Sequence, residues 1–236
     1  MLRKRLFILA LALCLLALGA TAQAPLRGYD KAQGYQYVSF GSYPQGAQGE
    51  LAPILWRVLQ VEGGIAYLMS EYILDVQRVS GDQWNYKGWE SSELFAWLNK
   101  DFIDKAFSEE EQQALHEDEA LGRASLPSAP DLQNKDIGFG TDVSRRIQGT
   151  PWALAQRGLY QYSSRNYSPI WMRSPSQQKH AHRSTKVDGK MGFIGVESDD
   201  LGVCPVIWLR ADMISTEGSG TREAPLAIKL QVGTAP

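Results

Sequence analysis

Two histidines, His180 and His182, are the residues of this sequence best suited to metal chemistry. Histidine is a common metal ligand, and side chains two positions apart on a strand point to the same side. Carboxylates that could complete a ligand set follow at Asp188, Glu197, Asp199 and Asp200. The flanking cations Lys179 and Arg183 disfavour a bound metal, and the pattern also fits a solvated loop. The sequence therefore predicts no metal site and no cofactor, and leaves both histidines as candidates for ligand binding.

Acid–base or nucleophilic catalysis has weaker support in the sequence. Glu71, Asp75, Glu197, Asp199 and Asp200 could include a pair of catalytic carboxylates, although Asp75 also fits a turn cap and the group at 197–200 an exposed acidic hairpin. The Gly-x-Ser-x-Gly nucleophile motif is absent. Cys204 lies in an apolar run, where burial raises the pKa of a thiol and makes it inert. The sequence predicts no catalytic residue, and a hydrolase that uses carboxylates or a histidine-bound metal remains the alternative function.

Aromatic residues in polar loops favour a recognition surface. Trp84, Tyr86 and Trp89 lie in the loop 76–90, although Trp84 and Trp89 could also fold back into the core. A second loop, 176–202, carries the histidines and several charges, and we expect both loops to share one face. The candidate ligand-binding residues are Trp84, Tyr86, Trp89, Arg173, His180, His182 and Arg183. For Arg173 we expect a structural role first, in which the guanidinium satisfies loop carbonyls or a nearby carboxylate.

The first residues predict export. Residues 3–5 are basic, residues 6–18 are apolar, and 20–22 are small, which is the pattern of a signal peptide cleaved after Ala22. The apolar run is shorter than the roughly 20 residues that span a bilayer. Cleavage changes the formal net charge from −2 to −5 and leaves Cys204 as the one cysteine. We therefore expect a periplasmic or secreted protein without an internal disulfide, without a membrane span and without affinity for nucleic acid.

Periodicity predicts strands at both ends of the mature chain and helices between them. After a loose leader over 23–36, we expect one α+β domain over 37–236, with mixed or antiparallel strands, two to three short helices and long loops. Helices are expected from Ser91, from Ser108 and over 151–157, because each begins at a capping pattern. Strands are expected at 37–44, 53–61, 65–70, around 160–163, 170–173, 191–196, 204–210 and 226–232. Trp56, Trp97, Trp171 and Trp208 are expected in the core.

Seven short segments in order resemble a bacterial domain of unknown function, the family numbered 6273. They are 37–45, 53–59, 68–75, 91–99, 106–108, 171–175 and 202–209. As a set they cover most of the chain from 37 to 210. The family implies no established activity, so the resemblance does not assign a function.

The two last segments also resemble, more loosely, the closing strands of C-type-lectin-like folds in the sulfatase-modifying-factor branch. This resemblance implies a scaffold that displays binding loops. Cys204 stands where that pattern tends to have arginine, and one mature cysteine cannot supply the copper-binding pair of those enzymes. The hypothesis from sequence is therefore an exported, non-catalytic recognition module for a polar ligand, either carbohydrate or peptide, of undetermined oligomeric state.

Overall fold

The computed structural model describes residues 25–156, 158–159 and 165–230. The predicted signal peptide, the strand around 160–163 and the last residues of the strand predicted over 226–232 lie outside these ranges. Within the described part of the chain, no helix is long and apolar enough to cross a membrane.

In the part of the chain that the structure describes, twelve strands form four antiparallel sheets. The strands are β1 (Tyr37–Pro44), β2 (Leu51–Glu62), β3 (Ile65–Ser70), β4 (Asp75–Val76), β5 (Ala124–Ser125), β6 (Ile147–Gln148), β7 (Tyr167–Ser168), β8 (Trp171–Pro175), β9 (Ala181–Thr185), β10 (Met191–Gly195), β11 (Gly202–Val203) and β12 (Val206–Arg210). The main sheet has the order β1-β2-β3-β12-β5, and a second sheet has the order β10-β9-β8. Two further pairs join β11 to β4 and β6 to β7.

The main sheet joins strands from the first third of the chain to a strand that lies close to its C-terminal part. β12 pairs with β3, so that Trp208 lies opposite Tyr67. The β2–β3 hairpin turns at Gly63 and Gly64, whose φ angles of 57° and 79° favour glycine. The predicted C-terminal strand is reduced to isolated bridges, in which Leu226 pairs with Val38 and Ile228 with Ile214.

Helices lie between the strands, as predicted. They are α1 (Glu93–Trp97), α2 (Ile103–Ala106), α3 (Glu109–Gln112) and α4 (Pro151–Ala155), with a π-helical turn over Leu98–Phe102 that joins α1 to α2. The cap of α1 is Ser92, whose hydroxyl accepts from the Phe95 N–H, and not Ser91 as expected. Ser108 forms the predicted capping box with Glu111 at the start of α3. Short turns of 3₁₀ helix occur at Trp89–Ser91, Asp131–Gln133, Lys135–Ile137, Val143–Arg145 and Ala211–Met213.

Buried apolar side chains form two clusters, one on each side of the main sheet's central strands. Val58 and Leu68 belong to the larger cluster, whereas their chain neighbours Leu59 and Met69 belong to the smaller one. The α1–α2 segment covers the larger cluster through Leu94, Leu98 and Phe102, the three residues whose spacing predicted this helix. The α+β class expected from the sequence is confirmed.

The tryptophans divide between the core and its edge. Trp56 and Trp171 are fully buried, as predicted. Trp97 and Trp208 are only partly buried and pack against the clusters from outside, so their assignment to the core was too strong. Trp208 instead stacks on Tyr67, with ring centroids 5.3 Å apart.

The segment before β1 also packs against the main sheet. Tyr29 N–H donates to the Leu59 carbonyl at 3.0 Å, and Arg27 N–H donates to the Gln36 side chain at 2.8 Å. Gly28 lies so close to the β2 backbone that a Cβ would approach the Leu59 oxygen to 2.7 Å. A side chain at this position would therefore force the segment away from β2.

Candidate functional site

The loop 76–90 and the β9 region meet through aromatic and histidine rings. The Trp84 ring lies edge-on to His180 with centroids 4.7 Å apart. The Tyr86 hydroxyl lies 2.9 Å from His182 Nδ1. Trp89 stacks near His182 with centroids 6.0 Å apart. The expected neighbourhood of the two loops is therefore present, and we call Trp84, Tyr86, Trp89, His180 and His182 the aromatic–histidine cluster.

His182 forms the buried centre of this cluster. Its side chain lies on β9 with no exposed surface, between the rings of Tyr86, Trp89 and Trp171. Burial lowers the pKa of His182 to about 4, although the backbone carbonyls of Arg173 and Met172 act in the opposite direction. Nε2 completes no hydrogen bond with any described residue. The ring is therefore neutral near pH 7 and serves as a packing element.

His180 lies outside the strand that carries His182. Its φ of 62° is in the left-handed region, just before β9 begins at Ala181. The two histidines therefore do not extend in parallel from one strand, as the sequence analysis assumed. His180 is half-buried, and its Nδ1 contacts the Gln83 carbonyl beside Trp84. His180 thus contacts both the backbone of the Trp84 loop and the indole ring itself.

The Trp84 loop is fixed by a turn around Asp82. The Asp82 carboxylate accepts from the backbone N–H of Trp84 at 2.9 Å and of Asn85 at 3.2 Å, and from the Asn85 side chain at 2.6 Å. These bonds, led by the one from the Asn85 side chain, lower the pKa of Asp82. The Gln83 N–H donates to Glu197 at 3.2 Å. The loop is thus ordered although its tip is exposed.

The tip of this loop presents an unusual apolar surface. Trp84 is 75% exposed and Phe193, on the adjacent β9–β10 hairpin, is 52% exposed. Phe193 lies directly opposite Arg183 in the register of that hairpin, so the two side chains share one face, which is the face opposite to that of His182. Within the segment 176–202, the strand expected at 191–196 is present as β10, whereas β9 forms in a part that was expected to be an irregular loop. Tyr86 and Trp89 face inward, and Trp89 is a core residue, as the alternative interpretation held.

Arg173 lies apart from the cluster and has the structural role that was expected. Its guanidinium donates to the Leu126 carbonyl at 2.7 Å and to Asp131 at 3.2 Å. Asp131 also accepts from the Tyr67 hydroxyl at 3.0 Å. Arg173, Tyr67, Asp131 and Trp208 line a surface depression of 400 Å³. The structure therefore brings five of the seven candidate residues together, with Arg183 on the neighbouring hairpin and Arg173 elsewhere.

The two carboxylates considered for catalysis are each held by other partners. Asp75 accepts from the Tyr43 hydroxyl and from the Val76 N–H at 2.7 Å. Burial, followed by the Asp75 charge, raises the pKa of Tyr43, so the phenol keeps the proton that it donates to Asp75. Glu71 forms ion pairs with Arg57 and Arg222. Neither carboxylate contacts His180 or His182 among the described interactions.

The sequence did not predict that Arg57, Glu71 and Arg222 form one group. Arg57 and Glu71 are 7% and 6% exposed, and Arg57 Nη2 lies 2.6 Å from Glu71 Oε2. The feature of the sequence that could have indicated a buried ion pair is an arginine inside the apolar run 53–61, since a buried arginine requires a partner. Cys204 lies nearby, donates to the Ser70 carbonyl at 3.2 Å, and is fully buried. Burial raises the pKa of its thiol to about 12, which agrees with the expected inert cysteine.

Metal ligands do not gather in the described structure. In residues 25–156, 158–159 and 165–230, no three side chains of histidine, cysteine, aspartate or glutamate are placed to hold one ion.

The buried neutral His182 predicts a loss of stability in mild acid. In the unfolded chain its pKa is near 6.5, so between pH 6.5 and pH 4 the unfolded state binds more protons than the folded state. The free energy of unfolding should therefore fall by about 3 kcal/mol as the pH drops through this window, since each pKa unit is worth about 1.4 kcal/mol.

Urea unfolding at several pH values, compared between the protein and His182→Phe, checks this expectation. The difference in unfolding free energy between the two should shrink or reverse in sign from pH 7 to pH 4. The exposed His116 provides the control, because His116→Gln should keep the full pH dependence. If the plots of unfolding free energy against pH are parallel for the protein and His182→Phe, His182 is not held in its neutral form by burial.

Comparison with known families confirms one resemblance. Residues 63–130 match the model of a family described as Domain of unknown function (DUF6273). The match includes the loop with Trp84, Tyr86 and Trp89, together with Glu71 and Asp75, but not the β8–β10 region. The curated proteins and the solved structures yielded no match.

Proposed function

We propose that this protein is a non-catalytic recognition module that binds a polar ligand, a glycan or a peptide, at the exposed side of the aromatic–histidine cluster. The observation that supports this function is Trp84, a large aromatic side chain held in the open by an ordered turn. An exposed tryptophan does not contribute the stabilisation that a buried one would give to the fold. Large exposed aromatic side chains of this kind are common at binding sites.

The surroundings of Trp84 fit a ligand with both apolar and polar faces. The His180 ring packs against the indole of Trp84, whereas Phe193 and Arg183 alternate with the inward-facing His182 and lie on the other face of the β9–β10 hairpin. A flat aromatic ring can stack on the C–H face of a sugar or on a peptide side chain, and the half-buried His180 beside it, whose Nδ1 faces the Gln83 carbonyl, leaves Nε2 to accept from a ligand hydroxyl. His180 holds a left-handed backbone conformation that non-glycine residues rarely adopt. Such strain is often retained at functional sites.

The alternative function, an exported hydrolase, has less support. It requires catalytic carboxylates or a histidine-bound metal, and convergence of three of Glu71, Asp75, His180 and His182 in one pocket would favour it. Glu71 is neutralised by arginines, and Asp75 is bound to Tyr43. His182 is buried. These partners leave none of these three side chains in position for acid–base work. Export and the C-type-lectin-like topology remain part of the proposal.

Trp84→Ala tests the proposal directly. The purified protein is first applied to a glycan array and a peptide array, and the strongest hit is then titrated by calorimetry. Removing a central aromatic contact should lower affinity about tenfold or more. Because Trp84 is exposed, the unfolding free energy should change by less than about 0.5 kcal/mol.

Leu51→Ala is the matched control, since Leu51 is 66% exposed on β2 and should not affect binding. Trp84→Phe should retain part of the affinity because it keeps an aromatic face. Unchanged affinity in Trp84→Ala, or no hit on either array, would refute the proposed function.

A further inference from the structure

A second pocket, on the edge of the main sheet, is lined by polar side chains. It has a volume of 220 Å³, and its lining includes Arg57, Glu71, Arg146, Gln148, Tyr167 and Arg222. β2 and the segment after β3 supply the floor with Arg57 and Glu71. β6 and β7 supply one wall, and the C-terminal segment supplies Arg222. Five separate parts of the chain thus place ionic or hydrogen-bonding groups around one space.

The charges in this pocket do not balance. Three guanidinium groups, on Arg57, Arg146 and Arg222, surround the single carboxylate of Glu71. Glu71 already pairs with both Arg57 and Arg222. Arginine keeps its charge at all physiological pH values. The pocket therefore holds an excess of two positive charges, and like charges in a partly dry site repel one another strongly.

Donors in this pocket are also left without acceptors. Arg57 is 93% buried, yet its Nε has no hydrogen-bond partner within the described residues. Arg146 donates through Nε to the Asp188 carbonyl at 3.0 Å, which anchors the side chain. Its two terminal nitrogens make no bond to any residue that the structure describes. A buried donor without an acceptor, such as Arg57 Nε, is costly and indicates a missing partner, whereas the terminal nitrogens of half-buried Arg146 are open to a ligand or to water.

We propose that this pocket binds a small oxyanion, the carboxylate or phosphate group of a ligand, between Arg146, Arg222 and Arg57. The planar guanidinium donates two parallel bonds to either kind of oxyanion. Arg222 is half-exposed at the mouth, and Gln148 is exposed beside it, so a charged group can enter from solvent. A metal cation is disfavoured by the same charges. The site is separate from Trp84 and does not depend on the proposed recognition function.

Calorimetric titration with two probes, inorganic phosphate and succinate, tests this site at constant ionic strength set with chloride. At least one probe should bind to a single site and raise the melting temperature in a concentration-dependent manner. Binding of phosphate alone identifies a phosphoryl ligand, and binding of succinate alone identifies a carboxylate ligand. Binding of both supports the shared oxyanion chemistry. Neither probe binding above the chloride background would overturn the proposal.

Arg146→Gln is the decisive variant because Arg146 takes no part in the Glu71 ion pairs. It should lower the affinity for the bound probe about tenfold or more, as expected for loss of a charge-assisted contact. Arg146→Lys should retain part of the affinity, which keeps the test valid if the glutamine variant folds poorly. Arg78→Gln, at an exposed arginine paired with Glu93, is the control and should bind normally. Equal affinity in Arg146→Gln and Arg78→Gln would refute the site, and Trp84→Ala should leave oxyanion binding unchanged.

Discussion

Replacing Trp56 with alanine should lower the free energy of unfolding by about 3–5 kcal/mol. Trp56 is fully buried on β2 and stacks near Phe107 with ring centroids 6.3 Å apart. Its indole N–H donates to the Phe40 carbonyl at 2.8 Å. The substitution therefore leaves a large cavity and also removes the donor of a buried carbonyl, and both effects destabilise the fold.

Guanidinium unfolding at pH 7 measures this loss for Trp56→Ala. The variant should lose a large part of the 5–15 kcal/mol that stabilises a typical domain. Trp84→Ala provides the contrast, because the same change of residue at an exposed site should leave stability nearly unchanged. Trp208→Ala should fall between them, since Trp208 is partly buried and stacked on Tyr67. A loss below about 1 kcal/mol in Trp56→Ala would contradict the central place of this residue in the core.

Local sequence patterns predicted the main hairpin well. The segments expected over 37–44, 53–61 and 65–70 correspond to β1, β2 and β3, with β2 longer by a few residues. Alternating side chains and the Gly63–Gly64 turn specify these strands without reference to distant residues. The α1 start differed by one residue because Ser91 and Ser92 are both capable caps, and only the backbone conformation selects Ser92.

The candidate site was predictable only in part. Placing the Trp84 loop beside the His180 region followed from two long loops on one scaffold, and the rings do meet. The equivalence of His180 and His182 failed because β9 begins at Ala181, after the left-handed turn at His180. Alternation along a strand gives side-chain direction only within the strand, and the polar sequence around 176–180 gave no sign of where the strand begins.

Long-range ion pairs were beyond the reach of sequence patterns. Glu71 and Arg222 are 151 positions apart and meet only because the C-terminal segment returns to β1. The sequence contains 24 basic and 26 acidic residues, so the choice of partner cannot be made by spacing alone. The choice depends on which charges the fold buries, and this is determined by the register of β2 against β3.

Glu71→Gln should destabilise the protein by about 3–5 kcal/mol, because it leaves the buried charge of Arg57 without its counter-ion. Arg57 packs against the rings of Tyr35 and Phe139, at 5.1 Å and 6.0 Å from their centroids, and is shielded from water. The aromatic rings cannot replace a full negative charge at this depth. Half-exposed Arg222 can be hydrated when Glu71 is lost, so most of the cost arises at Arg57.

The double variant Arg57→Met/Glu71→Met separates the ion pair from the packing. Removing both charges together should restore most of the stability lost in Glu71→Gln, because neither the buried cation nor the buried anion remains. Urea unfolding of the protein, the single variants and the double variant gives this coupling. If the loss of unfolding free energy in the double variant equals the sum of the losses in the two single variants, the two residues act independently. Recovery of the unfolding free energy in the double variant would instead show that the fold does not require the charges of Arg57 and Glu71. We expect this result if the two residues are retained for the oxyanion pocket that they line.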